Sequence, residues 1–196
     1  MEDRQKRGAG TRDAPPTTSA SPWLGGARRC PSPNFDARPA GARIELIVIH
    51  GISLPPGCFG TGHVDALFTN ALDPDAHPEY EELCAMRVSS HLLIDRTGAC
   101  VQYVPFDARA WHAGLSEWCG RSGCNDFSIG IELEGTDDVP YTDAQYATLA
   151  TVVGDLRRRY PDLSDTALVG HADIAPGRKT DPGPAFDWDR LRDLLA

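Results

Sequence analysis

Short apolar runs that have the length of buried strands recur along this chain. Three of them are RIELIVIH at 43–50, FSIGIELEG at 127–135 and ALVGH at 167–171. The first and the third end on histidines, His50 and His171. In the second, alternate positions separate an apolar face from a face that carries Gly130, Glu132 and Glu134. The pattern therefore predicts three buried strands, two of which end in a histidine.

Helical patterns lie between and after these runs. Thr142 and Gln145 form a capping box ahead of an apolar stripe with helical spacing, and Pro161 marks the end of that helix. A shorter helix is predicted over 63–70, and a final helix is predicted to begin after Asp187 as its cap.

A hairpin and a long loop complete the pattern. The segments SSHLLID and ACVQYVPF are predicted to pair, with the turn at 95–98. Residues 106–126 are predicted to be irregular, and long ordered loops of this kind are often functional. Because strands and helices are mixed along the chain, we predict an α/β or α+β domain with a single mixed β-sheet.

The composition favours one acidic domain behind a leader. The 196 residues carry a net charge of −9, and no Lys and Arg cluster is dense enough to follow a phosphate backbone, so no nucleic acid is expected as a partner. Residues 1–26 are rich in Gly, Pro, Ser, Thr and Ala without periodicity, and we expect a disordered leader there. The folded domain is then predicted to span residues 27–196.

The sequence also bears on compartment and redox state. No apolar run approaches the roughly 18 residues of a membrane span, and the first residues lack the apolar segment of a secretory signal. The six cysteines are therefore expected to be reduced thiols rather than disulfides. We expect a cytoplasmic monomer that makes no membrane contact.

Two strand-end histidines and one aspartate suit a catalytic metal site. His50, His171 and Asp181 make up the three-ligand set of a catalytic zinc, which leaves a fourth position for water. Pro182 favours an extended backbone at Asp181, which directs Asp181 and Lys179 to the same side of the chain. The alternative is a hydrogen-bonded histidine pair at a sheet edge, and spacing alone does not decide between the two.

Glu132 and Lys179 each allow two interpretations. Glu132 belongs either to a solvated face or to a polar cleft, because burying an unpaired carboxylate is costly. Beside a zinc, Glu132 becomes the candidate general base for the bound water. Lys179 is either a solvated surface lysine or a cation in the same cleft, where it would stabilise an oxyanion.

Two further features are candidates for substrate contact. The aromatic segment AWHAG at 110–114 is either core or a wall of a substrate site. Arg87 precedes the predicted hairpin, and its guanidinium suits a carboxylate on a ligand, although a surface arginine is the simpler interpretation.

Five sequence motifs occur in the same order as in a known protein family, and the resemblance covers residues from about 28 to 195. They are IVIHGISLPPGCFG, HLLIDRTGACVQYVPFDARAWHAG, CNDFSIGIELEGTDD, YTDAQY and GHADIAPGRKTDPGPAFDW. Together they closely resemble the AmpD-type N-acetylmuramoyl-L-alanine amidases, a zinc amidase family shared with phage lysozyme-type amidases and peptidoglycan-recognition proteins. The resemblance implies a mixed sheet flanked by helices, with a zinc cleft on top.

The resemblance also implies roles for single residues. It implies zinc ligands at His50, His171 and Asp181, and catalytic roles for Glu132 and Lys179. The positions that look like family substrate contacts are Arg87, Trp111 and Ala175. Two positions depart from the family pattern: Gly51, where asparagine is frequent, and Gly123, where some relatives have arginine.

The reaction implied by the resemblance cleaves the amide between the lactyl group of 1,6-anhydro-N-acetylmuramic acid and L-alanine in muropeptides. Its implied role is peptidoglycan recycling, with an indirect effect on β-lactamase induction. The alternatives are an exported amidase that acts on intact peptidoglycan and a non-catalytic peptidoglycan-binding module, which would lack the metal.

Overall fold

A computed structural model describes residues 21–196 of the chain. The strands are, in chain order, β1 (Arg28–Arg29), β2 (Phe35–Ala37), β3 (Leu46–Ile52), β4 (Leu92–Ile94), β5 (Cys100–Gln102), β6 (Ala108–Ala110), β7 (Glu117–Trp118), β8 (Arg121–Ser122), β9 (Ser128–Glu134) and β10 (Leu168–Gly170). The helices are α1 (His63–Phe68), α2 (Tyr80–Leu83), α3 (Asp143–Arg159), α4 (His171–Ile174) and α5 (Trp188–Leu195).

Six of the strands form one mixed sheet in the order β1-β5-β4-β9-β3-β10. The hairpin partners β4 and β5 are antiparallel, and all other neighbours in this sheet are parallel. The predicted α/β fold with a single mixed sheet flanked by helices is confirmed. The segment 106–126 is less irregular than predicted, since β6 pairs with β2 and β7 pairs with β8 in two small ribbons.

Both faces of the central strands are covered, as is usual for parallel strands. On one face Ile49 and Ile131 pack with Leu149 and other residues of α3. On the other face Leu46 and Val48 pack against the segments that contain Phe127 and Ile174. All seven residues of β9 are consequently buried. Ile44 lies before β3 and packs on the α3 side.

The predicted capping box at the start of α3 is confirmed. The Thr142 hydroxyl accepts a hydrogen bond from the Gln145 backbone N–H at 3.2 Å, and the Gln145 side chain accepts one from the Thr142 N–H at 3.0 Å. The Gln145 amide also donates to the carbonyl oxygens of Ile94 and Glu134, at 3.3 and 2.9 Å. This cap therefore joins α3 to the ends of β4 and β9.

The segment 21–26, which we assigned to the leader, contacts the domain. The Pro22 carbonyl accepts a hydrogen bond from the Phe106 N–H at 2.9 Å, and the Leu24 N–H donates to the Gln102 side chain at 2.6 Å. Pro22 and Leu24 are thus hydrogen-bonded through their backbone to β5 and to the segment that follows it. Residues 1–20 of the predicted leader lie outside the described residues. Within residues 21–196, no helix is both long and apolar enough to cross a membrane.

Candidate metal centre

The carboxyl ends of three parallel strands meet at the candidate site. His50 lies near the end of β3, directly opposite Glu132 of β9 in the strand register. His171 follows Gly170, the last residue of β10, which pairs with Ile49 on the other side of β3. Strand order therefore brings together side chains that are far apart in sequence.

His50, His171 and Asp181 converge on one point. The His50 Nδ1 atom lies 3.0 Å from His171 Nδ1 and 3.2 Å from Asp181 Oδ2, and His171 Nδ1 lies 3.1 Å from the same oxygen. In a tetrahedral centre with metal bonds of about 2.0–2.1 Å, ligand atoms are about 3.3 Å apart. Both histidines are buried, and the three residues form a group that could hold a metal ion.

The partners of the outer imidazole nitrogens support a cation between the inner ones. His171 Nε2 lies 3.3 Å from the Ala113 carbonyl oxygen, which can only accept, so the proton of a neutral His171 belongs on Nε2. Its Nδ1 lone pair then faces the Asp181 carboxylate. Two electron-rich atoms this close repel unless a proton or a metal ion lies between them. Burial, opposed by Asp181, lowers the pKa of His50 to about 4, so His50 is neutral at neutral pH as metal binding requires.

Glu132 lines this cleft and is 8 % exposed, so the solvated-face interpretation is wrong. Its Oε2 atom is buried without a hydrogen-bond partner among the described residues. Burial and the negative charge of Asp181 raise the pKa of Glu132 well above its ordinary value, while Lys179 opposes that rise. A buried carboxyl group with a raised pKa in a cleft is a candidate for proton transfer.

Lys179 is exposed at the rim of the cleft. Its charge contributes to lowering the pKa of both His50 and Glu132, so its ammonium group acts on the interior of the cleft. The Lys179 N–H donates to the Ala175 carbonyl at 3.1 Å, which holds this segment against the end of α4. Lys179 is thus exposed, and its charge lowers the pKa of His50 and Glu132.

The three predicted substrate contacts differ in their surroundings. Ala175 is buried at the edge of a cavity of about 470 Å³, which Leu115 and Gly123 also line. Trp111 is half-buried and directly precedes His112, which contacts His50. Arg87 is exposed, and its guanidinium donates to carbonyl groups of its own segment. A larger cavity of about 790 Å³ lies between the 24–28 segment and α3, lined by none of these residues.

The sequence analysis missed two residues beside the candidate ligands. His112 was included only in a segment that was either core or substrate wall, yet its Nδ1 atom lies 2.9 Å from His50 Nε2. Tyr141 donates its hydroxyl hydrogen to the Pro182 carbonyl at 3.0 Å, next to Asp181. The Tyr141 hydroxyl also occupies the space toward which a side chain at Gly51 would point. For His112, the sequence did offer one signal. Gly130 lies inside a buried strand, where a glycine indicates that another group approaches the backbone closely.

A mixed α/β domain with this His, His and Asp group at its strand ends, and a buried carboxyl group beside it, has the arrangement of metal-dependent hydrolases. The family model described as N-acetylmuramoyl-L-alanine amidase (Amidase_2) matches residues 40–184. This chain belongs to that family.

Individual relatives cover almost the whole protein. The chain is 60% identical over 174 residues to the "1,6-anhydro-N-acetylmuramyl-L-alanine amidase AmpD" of Escherichia coli K12, which covers 89% of this chain and 94% of the relative. A crystal structure of an AmpD derivative superimposes with a TM-score of 0.87 at 58% identity, over 89% of this chain and 97% of that one. A complex of Escherichia coli AmiD with the substrate anhydro-N-acetylmuramic acid-L-Ala-D-gamma-Glu-L-Lys has a TM-score of 0.57 at 31% identity, over 82% and 65% of the two chains.

Proposed function

We propose that this protein is a zinc-dependent hydrolase that cleaves the amide between the lactyl group of 1,6-anhydro-N-acetylmuramic acid and L-alanine in muropeptides. The observation that carries the proposal is the convergence of His50, His171 and Asp181 within 3.0–3.2 Å beside the buried carboxyl group of Glu132. The named activity of relatives that cover most of the chain supports the choice of substrate.

The ligand set suits zinc better than a hard cation. His50 Nδ1, His171 Nδ1 and Asp181 Oδ2 would hold the ion, and two neutral imidazoles with one carboxylate match catalytic zinc sites. Bound zinc lowers the pKa of a water ligand toward about 7 and polarises a neighbouring carbonyl.

Glu132 supplies proton transfer in this proposal. Its carboxylate accepts a proton from the attacking water as the water oxygen bonds to the lactyl carbonyl carbon. The same carboxyl group then delivers the proton to the alanine nitrogen as the carbon–nitrogen bond breaks. A raised pKa makes the Glu132 carboxylate a stronger base, which favours the first of these proton transfers.

Lys179 and the cleft walls complete the proposed site. The Lys179 ammonium stabilises the negative oxygen that develops on the attacked carbonyl. We place substrate contacts at Trp111, Ala175 and Arg87, with the cavity beside Ala175 available to the muropeptide. A soluble anhydro-muropeptide fits action in the cytoplasm, in peptidoglycan recycling with its indirect effect on β-lactamase induction. Because the candidate site comes from one chain, we propose a monomer, with a zinc-dependent amidase domain over residues 27–196.

The test compares soluble anhydro-muropeptide with intact sacculi as substrates for the zinc-loaded protein, with chelator-treated protein as the control. Mass spectrometry should find free anhydro-N-acetylmuramic acid and free peptide from the soluble substrate only, and none after zinc removal. Preferred release from sacculi would support an exported enzyme instead. Binding without cleavage, from protein that retains no stoichiometric zinc, would support a binding module.

A further inference from the structure

We infer that His112 is a positioning residue: its Nδ1 accepts a hydrogen bond from His50 Nε2–H, and this directs the lone pair of His50 Nδ1 toward the metal position. The inference rests on the proposed metal centre but not on the identity of the substrate. His112 is half-buried in the loop after β6, and its ring stands at 87° to that of His50 with 5.0 Å between centroids.

The hydrogen bonds form a short chain behind the centre. His50 Nε2 lies 2.9 Å from His112 Nδ1, and His112 Nε2 lies 3.1 Å from the Ser128 hydroxyl oxygen. A neutral imidazole has one N–H and one lone pair, so each ring in this chain has two possible proton arrangements. A serine hydroxyl can donate or accept, and it therefore suits either arrangement.

A bound metal selects one of the two arrangements. Metal binding at His50 Nδ1 requires the His50 proton on Nε2, where it is donated to His112 Nδ1. The His112 proton then lies on Nε2 and is donated to Ser128. The opposite arrangement puts a proton on His50 Nδ1, directed at Asp181, and blocks the metal position. The acceptor atom of His112 therefore stabilises the form of His50 that binds metal.

The backbone holds the His112 ring where this bond is possible. The N–H groups of His112 and Ala113 both donate to the Asn125 side-chain oxygen, at 3.1 and 2.8 Å. The ring lies against Gly130 of β9, and a Cβ atom at position 130 would be 2.6 Å from His112 Nδ1. Glycine in the middle of a central buried strand is thus required by the position of His112.

The same two-residue segment serves both histidine ligands. The Ala113 carbonyl lies 3.3 Å from His171 Nε2, so it plays for His171 the part that His112 Nδ1 plays for His50. A backbone carbonyl is always an acceptor, whereas His112 accepts only in one tautomer. His50 is therefore the ligand whose proton position depends on a side chain that substitution can change.

The test measures zinc affinity of the full-length, zinc-loaded protein by competition with a chromogenic chelator, without any substrate. His112→Leu removes the acceptor and should weaken zinc binding about 10–100-fold. His112→Asn keeps an oxygen close to the Nδ1 position and should recover most of that affinity. Gly130→Ala leaves His112 in the sequence but displaces its ring, and should weaken zinc binding as His112→Leu does. Unfolding of the metal-free variants checks that the fold is retained.

A second measurement uses the wild-type protein and does not depend on variants. In the zinc-loaded form, ¹⁵N NMR should find the His112 proton on Nε2 and a bare Nδ1. A proton on His112 Nδ1, or equal zinc affinity in His112→Leu and wild type, would overturn the inference. Zinc bound with normal affinity but no amide cleavage would overturn the proposed substrate while leaving the inference in place.

Discussion

At the scale of single residues, Glu132 and Glu134 are two buried glutamates of one strand that differ in their hydrogen-bond partners. Both are buried on the same face of β9, 8 % and 6 % exposed. Glu134 accepts hydrogen bonds from the N–H groups of Gly60 and Arg96, whereas Oε2 of Glu132 has no partner among the described residues. A buried polar atom without a partner costs free energy, which indicates that Glu132 is kept for a bound species.

The first prediction uses these two glutamates as a matched pair. Glu132→Gln should lower kcat for anhydro-muropeptide cleavage by about 10²-fold or more, because the amide cannot accept the proton of water. Glu134→Gln should keep kcat close to wild type, because Glu134 bonds backbone groups: its amide oxygen can still accept from Gly60, and only the bond from Arg96 to the second oxygen is lost. Steady-state kinetics and zinc content measure both variants. Near-normal turnover in zinc-loaded Glu132→Gln would show that the base assignment is wrong.

The second prediction concerns Lys179. Lys179→Ala should lower kcat by about 10²-fold or more while product or substrate analogue still binds, because the ammonium acts on charge that develops during the reaction. Lys179→Arg retains the positive charge, and its kcat should fall less than that of Lys179→Ala. Calorimetric binding together with kinetics separates the two effects. A large loss of affinity with kcat unchanged would assign Lys179 to ground-state binding instead.

At the scale of elements, local signals predicted most of what was observed. Hydrophobic periodicity and the capping box predicted the positions of several elements correctly: the hairpin β4–β5, the strands β3, β9 and β10, and the helix α3. These signals act between near neighbours in the chain, so they can be recognised without tertiary contacts. The ribbons β2–β6 and β7–β8 were missed, because strands of two or three residues carry too few positions to show a period.

The third prediction belongs to α3. Thr142→Ala should lower the free energy of unfolding by about 1 kcal/mol, because the Gln145 N–H loses its cap. The Thr142 hydroxyl also donates to the Arg96 carbonyl at 2.9 Å, which ties the cap to the hairpin turn. Thr151→Ala, at an exposed site of the same helix, is the control and should change stability by no more than about 0.5 kcal/mol. Urea unfolding measures both, and equal effects would contradict the capping role.

At the scale of the whole molecule, a half-buried arginine, Arg38, and a buried histidine, His91, lie next to each other. The Arg38 guanidinium donates to the backbone carbonyls of Phe106 and Ser128, at 3.1 and 2.9 Å, and so joins two remote segments. His91 is fully buried beside it and accepts a hydrogen bond from the Gly130 N–H at 3.0 Å. Burial and the charge of Arg38 lower the pKa of His91 to about 3.

The fourth prediction is acid sensitivity of the fold. His91 has an ordinary pKa of 6.5 when exposed and about 3 when folded, so between these values the unfolded chain binds a proton that the folded chain does not. Stability therefore falls as pH drops below 6.5, and His91 alone accounts for a loss of about 2 kcal/mol at pH 5. Urea unfolding of chelator-treated protein at pH 7 and pH 5 should show a loss at least this large, because the lowered pKa of His50 adds to it. His91→Asn, which retains an acceptor for Gly130, should have a shallower dependence on pH; an unchanged dependence would contradict the assignment.

The sequence by itself determined the strands, the capped helix and the chemical types that could form a metal site. His50 and His171 were identified as candidates because each ends a strand, which is a local feature. The sequence could not decide whether Glu132 was solvated, because that depends on which remote segments cover β9. It also could not show that His112 lies behind His50, since 62 residues separate the two and only the path of the loop after β6 brings them together. The tertiary structure decided these points, because strand order and packing determine which distant groups share a buried space where an unpaired charge or proton is costly.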